Sequence, residues 1–368
     1  MNLTFNVPIN PVSFGVTSIC ILREIFNRKK TVKGVFPIGS VDVSAQKPDA
    51  EFSAWLQNSI NTSVLNHAKN TSVLRLWHVL QSMESVVSTN NALFTFHETS
   101  DITDVEKHIL NQQDKIFVSS PYTKEVFESG GVTTPVVLCP LGFDSFNLFK
   151  TNKKYYQDGR IVFGLNGKAE NRKGTYRILN LWAKKFGNDK RYVLHCLINN
   201  PFIGQITGNP NLERQLINQA LEGKNYWNIN FVPYCKTNAE LNDVLNVQDI
   251  NLDGLSLCEG FNYGLFNSLC LGKQSIVLNA HVHKLYANDK NSILVEPRGM
   301  IDAEDQLFFK KGNIINIGEW FNWDENEVSG AMDLAIGRAK VLNSEGEKLK
   351  DLFSFSKTLD IITQNMNN

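Results

Sequence analysis

Two short stretches of this chain concentrate the side chains that phosphate chemistry needs. The first, Leu165-Asn166-Gly167-Lys168-Ala169-Glu170-Asn171-Arg172-Lys173-Gly174, sets Lys168, Arg172 and Lys173 in a loop bracketed by glycines. Flexible backbone beside cationic groups suits phosphate oxygens, and a helix opening behind the loop adds the partial positive charge of its N-terminus. The second stretch, Cys258-Glu259-Gly260-Phe261-Asn262-Tyr263-Gly264-Leu265-Phe266-Asn267, puts an acid at a strand end and glycines at a helix start. Glu259 could hold hydroxyl groups there, or merely cap the helix, an effect of up to about 1 kcal/mol. Cations and oriented N–H groups stabilise a departing phosphate, so the two stretches together could support that step.

These stretches need a scaffold that brings strand ends together, and the rest of the chain reads as one. Short β-rich runs alternate with helical stretches, which argues for α/β layers around parallel sheets. Strands are expected at Leu3–Val7, Ala92–Phe96, Lys115–Val118 and Pro135–Cys139, with helices at Val16–Phe26 and Pro121–Ser129, the latter stopping at Gly130-Gly131. The second half continues with a strand at Arg160–Gly164, helices near 174–186, 211–222 and 238–246, and strands at Tyr192–Ile198, Ile229–Pro233 and Ser275–Leu278. Between Asp144 and Gly159 the chain turns polar, with Lys150, Asn152, Lys153, Lys154 and Asp158, and the domain boundary is placed there. The 368 residues then divide into an N-terminal domain, 1–157, a C-terminal domain, 158–344, and a helical tail, 345–368, packing back on the N-terminal lobe.

Composition narrows the partners. Lysine plus arginine and aspartate plus glutamate both number 37, so no global field draws the chain to a polyanion and nucleic acid is disfavoured as its main partner. The six scattered cysteines form no Cys-x-x-Cys pair and read as reduced core residues, which points to the cytoplasm. No run reaches membrane-spanning length and the start lacks a secretory leader, so no integral membrane segment is expected. His281-Val282-His283 has the alternation of a metal pair without a third ligand nearby, and no metal is expected.

The two stretches, in this order, resemble the retaining GT-B glycosyltransferases, of the "glycosyl transferases group 1" (family 4) type. In that family a Gly-Arg and a Lys-Gly pair precede a long helix, and Gly167-Lys168 and Lys173-Gly174 stand at those places; lysine keeps the charge but loses the bidentate fork. Glu259-Gly260-Phe261 matches the start of the family's Glu-Gly-Phe-Gly, with Asn262 in place of the last glycine and Asn267 in place of a second glutamate. A weaker likeness runs through Asn111–Ser120, Tyr122–Phe127, Gly131-Val132 and Pro140–Asp144, so the resemblance covers roughly residues 90 to 300.

The resemblance implies two Rossmann-like domains facing a central cleft, and a hexose-type sugar moved from a UDP- or GDP-sugar, a co-substrate, with no cofactor. Lys168 and Lys173 would stabilise the leaving phosphate, Glu259 would bind sugar hydroxyls, and Gly167, Arg172, Gly260, Phe261, Asn262, Tyr263, Gly264 and Asn267 would line the donor. Backbone near Val232 and Tyr234 would face the nucleobase. Gly15 closes the loop after the first strand, where a ligand approaches such a sheet, and is counted with the donor site. His97, as a catalytic candidate, and Glu98 stand on the acceptor side, although a histidine on an apolar strand reads equally well as core. The acceptor, whether glycan, lipid, protein or modified base, stays open. Two other readings remain: a decayed module that binds a glycan or partner, motivated by Asn267, and a transferase acting on modified DNA bases. Trp77-His78 reads as helix packing, and Trp320-Phe321-Asn322-Trp323 as packing against the tail.

Overall fold

Six apolar runs in the first half of the chain pair side by side, and six more do so in the second. The computed structural model describes residues 1–151, 155–305 and 307–366; Asn152, Lys153 and Lys154 of the polar connection lie outside them. In chain order the first sheet contains β1 (Leu3–Val7), β2 (Gly34–Pro37), β3 (Ser72–Leu76), β4 (Asn91–Thr95), β5 (Lys115–Val118) and β6 (Val136–Leu138). The second contains β7 (Ile161–Gly167), β8 (Tyr192–Ile198), β9 (Ile229–Phe231), β10 (Ile250–Asn251), β11 (Gln274–Leu278) and β12 (Ile293–Val295). All pairs are parallel, in the spatial orders β2-β1-β3-β4-β5-β6 and β12-β11-β10-β7-β8-β9.

Parallel strands are covered on both faces, which is why β1, β3 and β11 are buried along their whole length. Polar residues inside them must find partners: Thr4 meets His67 Nδ1 at 3.0 Å, and Asn6 Nδ2 donates to the Phe36 carbonyl at 3.0 Å. Each sheet reverses its order once, between β1 and β3 in the first and between β7 and β10 in the second. Ligands of open α/β sheets bind beyond the strand ends at such reversals.

The helix Ser13–Asn27 follows β1, and the last helix, Phe355–Met366, lies along it. Leu359, Ile362 and Met366 join Ile19, Leu22 and Ile25 in one apolar core, and Arg28 bonds the Ser356 carbonyl at 2.8 Å. Ile362 is fully buried in this contact. Ile362→Ala is expected to lower stability by about 2–4 kcal/mol, read as a shifted urea midpoint with an unchanged slope. The same core includes Phe261, Leu265, Phe266 and Leu269, so apolar packing passes from the first lobe into the helix Tyr263–Cys270 of the second.

Several elements depart from the sequence-based expectations. β2, β3 and the helix Ala50–Asn61 were not anticipated. In β3 the cause is Arg75, a buried charge in an apolar run, satisfied by the Asn6 side chain and by the Glu84 carbonyl at 2.9 Å. Trp77 and His78 sit beyond the end of β3 rather than in a helix. Trp320 and Trp323 do not meet the tail. Trp320 lies on the antiparallel pair β13 (Met300–Asp302) and β14 (Glu319–Phe321), Trp323 just after it, and both belong to the second lobe's core with Phe309 and Val328.

Candidate active site

Lys173 and Glu259 meet. The loop after β7 turns at Gly174, which adopts φ 66° and opens the helix Thr175–Phe186, and this turn directs Lys173 Nζ onto Glu259 Oε1. Ser256 Oγ donates to the same oxygen at 3.0 Å. Arg172 Nη1 holds the other carboxylate oxygen at 2.8 Å. Burial alone would push the Glu259 carboxyl up, but the Arg172 and Lys173 charges outweigh it and hold the group well below the usual carboxylate range. Glu259 is therefore an ionised acceptor rather than a proton donor.

Arg172 is the hub of this network. Its side chain is 3% exposed; it bonds Glu170 at 2.7 Å, Glu259, the Cys258 carbonyl at 2.7 Å and, from the other lobe, Glu98 at 3.1 Å. Arg172, expected to line the donor, is placed by the structure as a buried counter-ion among these carboxylates. Lys168 does not reach Glu259. It lies 3.6 Å from Glu170, beside the rings of Phe202 and Phe308, and keeps 36% of its side chain exposed. The cations Lys168, Arg172 and Lys173 thus balance the carboxylates Glu98, Glu170 and Glu259.

The residues after Glu259 are arranged by backbone demands. Gly260 sits where the lobes touch: a Cβ there would fall 2.6 Å from Phe96 Cβ, and its carbonyl accepts from Ser119 Oγ at 2.6 Å. Asn262, in the position where glycine was expected, adopts φ 65°, a conformation asparagine tolerates. Its Oδ1 caps the helix by accepting from the Leu265 amide, while Nδ2 donates to the Asp253 carbonyl and to His283 Nε2, each at 2.9 Å. Phe261 turns its ring into the core against Phe266 and Tyr286, so its side chain is not offered to a ligand. Tyr263 OH meets Thr17 Oγ1 of the first lobe at 2.9 Å. Gly264 lies in the first turn of the helix, and Asn267, further along it, is 8% exposed with its Oδ1 unpartnered.

Other candidates fall outside this cluster. Gly15 is buried in the first turn of its helix beneath Asn10. Val232 bonds the Cys196 carbonyl, and Tyr234 is exposed; both lie past β9, two strands from the β7–β10 reversal. His97 is 4% exposed against Phe127, with Nε2 engaged by the Asp101 carbonyl at 2.8 Å and Thr99 Oγ1 at 2.9 Å. Burial pushes its pKa down. His97 shapes the turn after β4 instead of facing the cleft, and Glu98, its neighbour, is the residue that crosses to the second lobe. His281 and His283 are likewise buried, bonded to the Ser256 carbonyl and to Asn262; among the described residues no cluster of three or more metal-ligating side chains forms.

Two residues near the reversals were not among the site candidates read from the sequence. His78, beyond β3, packs on Phe14 and Trp77 at the first sheet's reversal. Asp253, just past β10, accepts from the backbone and side-chain amides of Asn166. Their places beyond strand ends, next to the order reversals, are the signal that could have found them once the strands were ordered.

No protein-family model matches the sequence, and no curated protein matches it. Solved structures do resemble it. Sucrose-phosphate synthase from Thermosynechococcus elongatus superposes with a TM-score of 0.68 at 12% identity, covering 99% of this chain and 98% of that one. HepE from Anabaena, solved in complex with UDP and glucose, gives 0.65 at 12% identity, with 99% of each chain covered. An alpha,alpha-trehalose-phosphate synthase (UDP-forming) from Burkholderia vietnamiensis gives 0.63 at 9% identity over 99% of this chain and 96% of the other. Among the described residues no helix is long and apolar enough to cross a membrane. With two parallel six-stranded sheets, each reversing order once, and whole-chain similarity to these structures, the protein has the GT-B fold of two Rossmann-like domains.

Proposed function

We propose that this chain is a glycosyltransferase that takes a hexose-type sugar from a nucleotide-sugar donor, UDP- or GDP-linked, bound on the second lobe. The observation that carries the reading is the contact of Lys173 and Arg172 with Glu259 at the end of the reversal-flanking loop after β7. Lys173, 17% exposed, and Lys168 are the cations placed to neutralise a departing diphosphate, with the start of the helix Tyr263–Cys270 adding its partial charge. Glu259, held ionised, accepts hydrogen bonds from sugar hydroxyls. The unpartnered Asn267 Oδ1 supports a role in accepting from a ribose hydroxyl, where a glutamate would otherwise serve.

The acceptor approaches from the first lobe, residues 1–157, past Glu98 and His78. Configuration is retained, and the charge balance needs no metal, since lysines stand where a cation would act. That HepE was solved with UDP and glucose supports a UDP-sugar as the first donor to try. The test is calorimetric titration with UDP-, GDP- and ADP-glucose, followed by assay for donor hydrolysis. Saturable binding of one donor with slow release of its nucleotide is the expected result; no binding by any of the three removes the proposal.

A further inference from the structure

The C-terminal end of β10 leads into a carboxyl group that the proposed reaction does not use. Asp253 is 4% exposed and sits at the order reversal between β7 and β10. Its Oδ1 accepts from the Asn166 backbone N–H at 2.6 Å, and its Oδ2 accepts from the side-chain amides of Asn166 at 3.0 Å and Asn251 at 2.9 Å. Its carbonyl accepts from Asn262 Nδ2 at 2.9 Å and lies 3.0 Å from Ser256 Oγ, whose single hydrogen it shares with Glu259 Oε1. On the remaining side Gly264 packs so tightly on Oδ2 that a Cβ there would overlap it. One residue therefore joins the strand end leading to Lys168 and Lys173, the segment carrying Glu259, and the start of the helix Tyr263–Cys270.

We infer that Asp253 is a positioning residue for the diphosphate half of the donor, tying the β7 loop to that helix start; the inference rests on the function proposed above. An ionised carboxylate is acceptor-only and can satisfy all three amide donors aimed at it. Protonation places a hydrogen among donors, so one amide must let go. Burial raises the Asp253 carboxyl to about 6, with the Asn166 and Asn251 bonds and the Lys173 charge pulling the other way. The tie is accordingly complete above that pH and loosened below it. The charged groups around it are Lys173 and, beyond Ser256, Glu259; the helix contributes the neutral Gly264 and, through Asn251, Ser268.

The experiment measures binding of UDP-glucose and GDP-glucose, whose diphosphates do not titrate near neutrality, to wild type, Asp253→Asn and Gly264→Ala across the pH range that spans the Asp253 titration, with thermal melts as a check on folding. Wild-type affinity is expected to fall as the pH drops through that range. Asp253→Asn keeps the shape but turns a donor toward donors, so its binding is expected to be about tenfold weaker at neutral pH and nearly independent of pH. Gly264→Ala, which displaces the carboxylate without removing it, should also bind about tenfold more weakly, and decides the matter if the asparagine variant does not fold. A merely structural role would lower the melting temperatures and leave the pH profile of binding unchanged, which overturns the assignment. So does affinity that rises in acid, the behaviour of a carboxylate that simply repels phosphate. Failure of wild type to bind either nucleotide sugar overturns the proposed function and this assignment with it.

Discussion

Replacing Arg172 by alanine is expected to destabilise the fold by about 3–5 kcal/mol. The guanidinium is 3% exposed and serves Glu170 and Glu259, whose side chains are 1% and 6% exposed, so its loss leaves two buried carboxylates with only the Lys168 and Lys173 charges beside them. Burial opposes the Arg172 charge, yet the Glu259, Glu98 and Glu170 carboxylates outweigh it and hold the group well above its ordinary range. Lysine should not rescue, because a point charge cannot reproduce a fork that reaches several carboxylates and the Cys258 carbonyl at once. The pH dependence carries the sign. Glu259 has a folded pKa below its unfolded value, so its contribution is fully present above the unfolded value and is lost as the pH falls through the folded one. The gap between wild type and Arg172→Ala should therefore be widest near neutrality and shrink in acid. Urea denaturation at neutral and acidic pH checks this, and a neutral-pH loss below about 1 kcal/mol would contradict the hub assignment.

Lys173→Ala is expected to reduce kcat/KM for the donor by about a hundredfold to a thousandfold while the protein stays folded. Arg172 still neutralises Glu259 in that variant, so the loss should fall on turnover more than on stability. Lys168→Ala should cost less, because Lys168 is more exposed to screening water. Steady-state rates with the donor identified by calorimetry measure both. A Lys173→Ala enzyme that keeps a third or more of wild-type kcat/KM would show that its ammonium does not meet the leaving group.

Much of the fold was legible because its signals are local. Apolar runs at Leu3–Val7, Lys115–Val118 and Tyr192–Ile198 match the observed strands residue for residue, and Pro121–Ser129 matches its helix. Ser120 capping the Thr123 amide and the following Gly130 mark that helix's two ends within a few residues of sequence. β3 was not legible in the same way, since Arg75 interrupts its apolar pattern and becomes tolerable through Asn6 of a neighbouring strand and the Glu84 carbonyl. Trp320 misled for a related reason: its ring packs on Phe309 and its Nε1 donates to the Glu98 carbonyl of the first lobe, neither of which is deducible from the aromatic run.

By itself the sequence determined the alternation of strands and helices, the glycine-bracketed cationic loop and the acid ahead of a helix start, because backbone propensity and periodicity act over a few residues. The tertiary structure alone decided which charges meet. It gave Lys173 to Glu259, turned Arg172 inward among three carboxylates, brought Glu98 across from the other lobe, seated His97 in the turn after β4 and set Asp253 beneath the helix start. The physical reason is that an ion pair depends on distance and on exclusion of water, and both arise only when segments remote in the chain pack together.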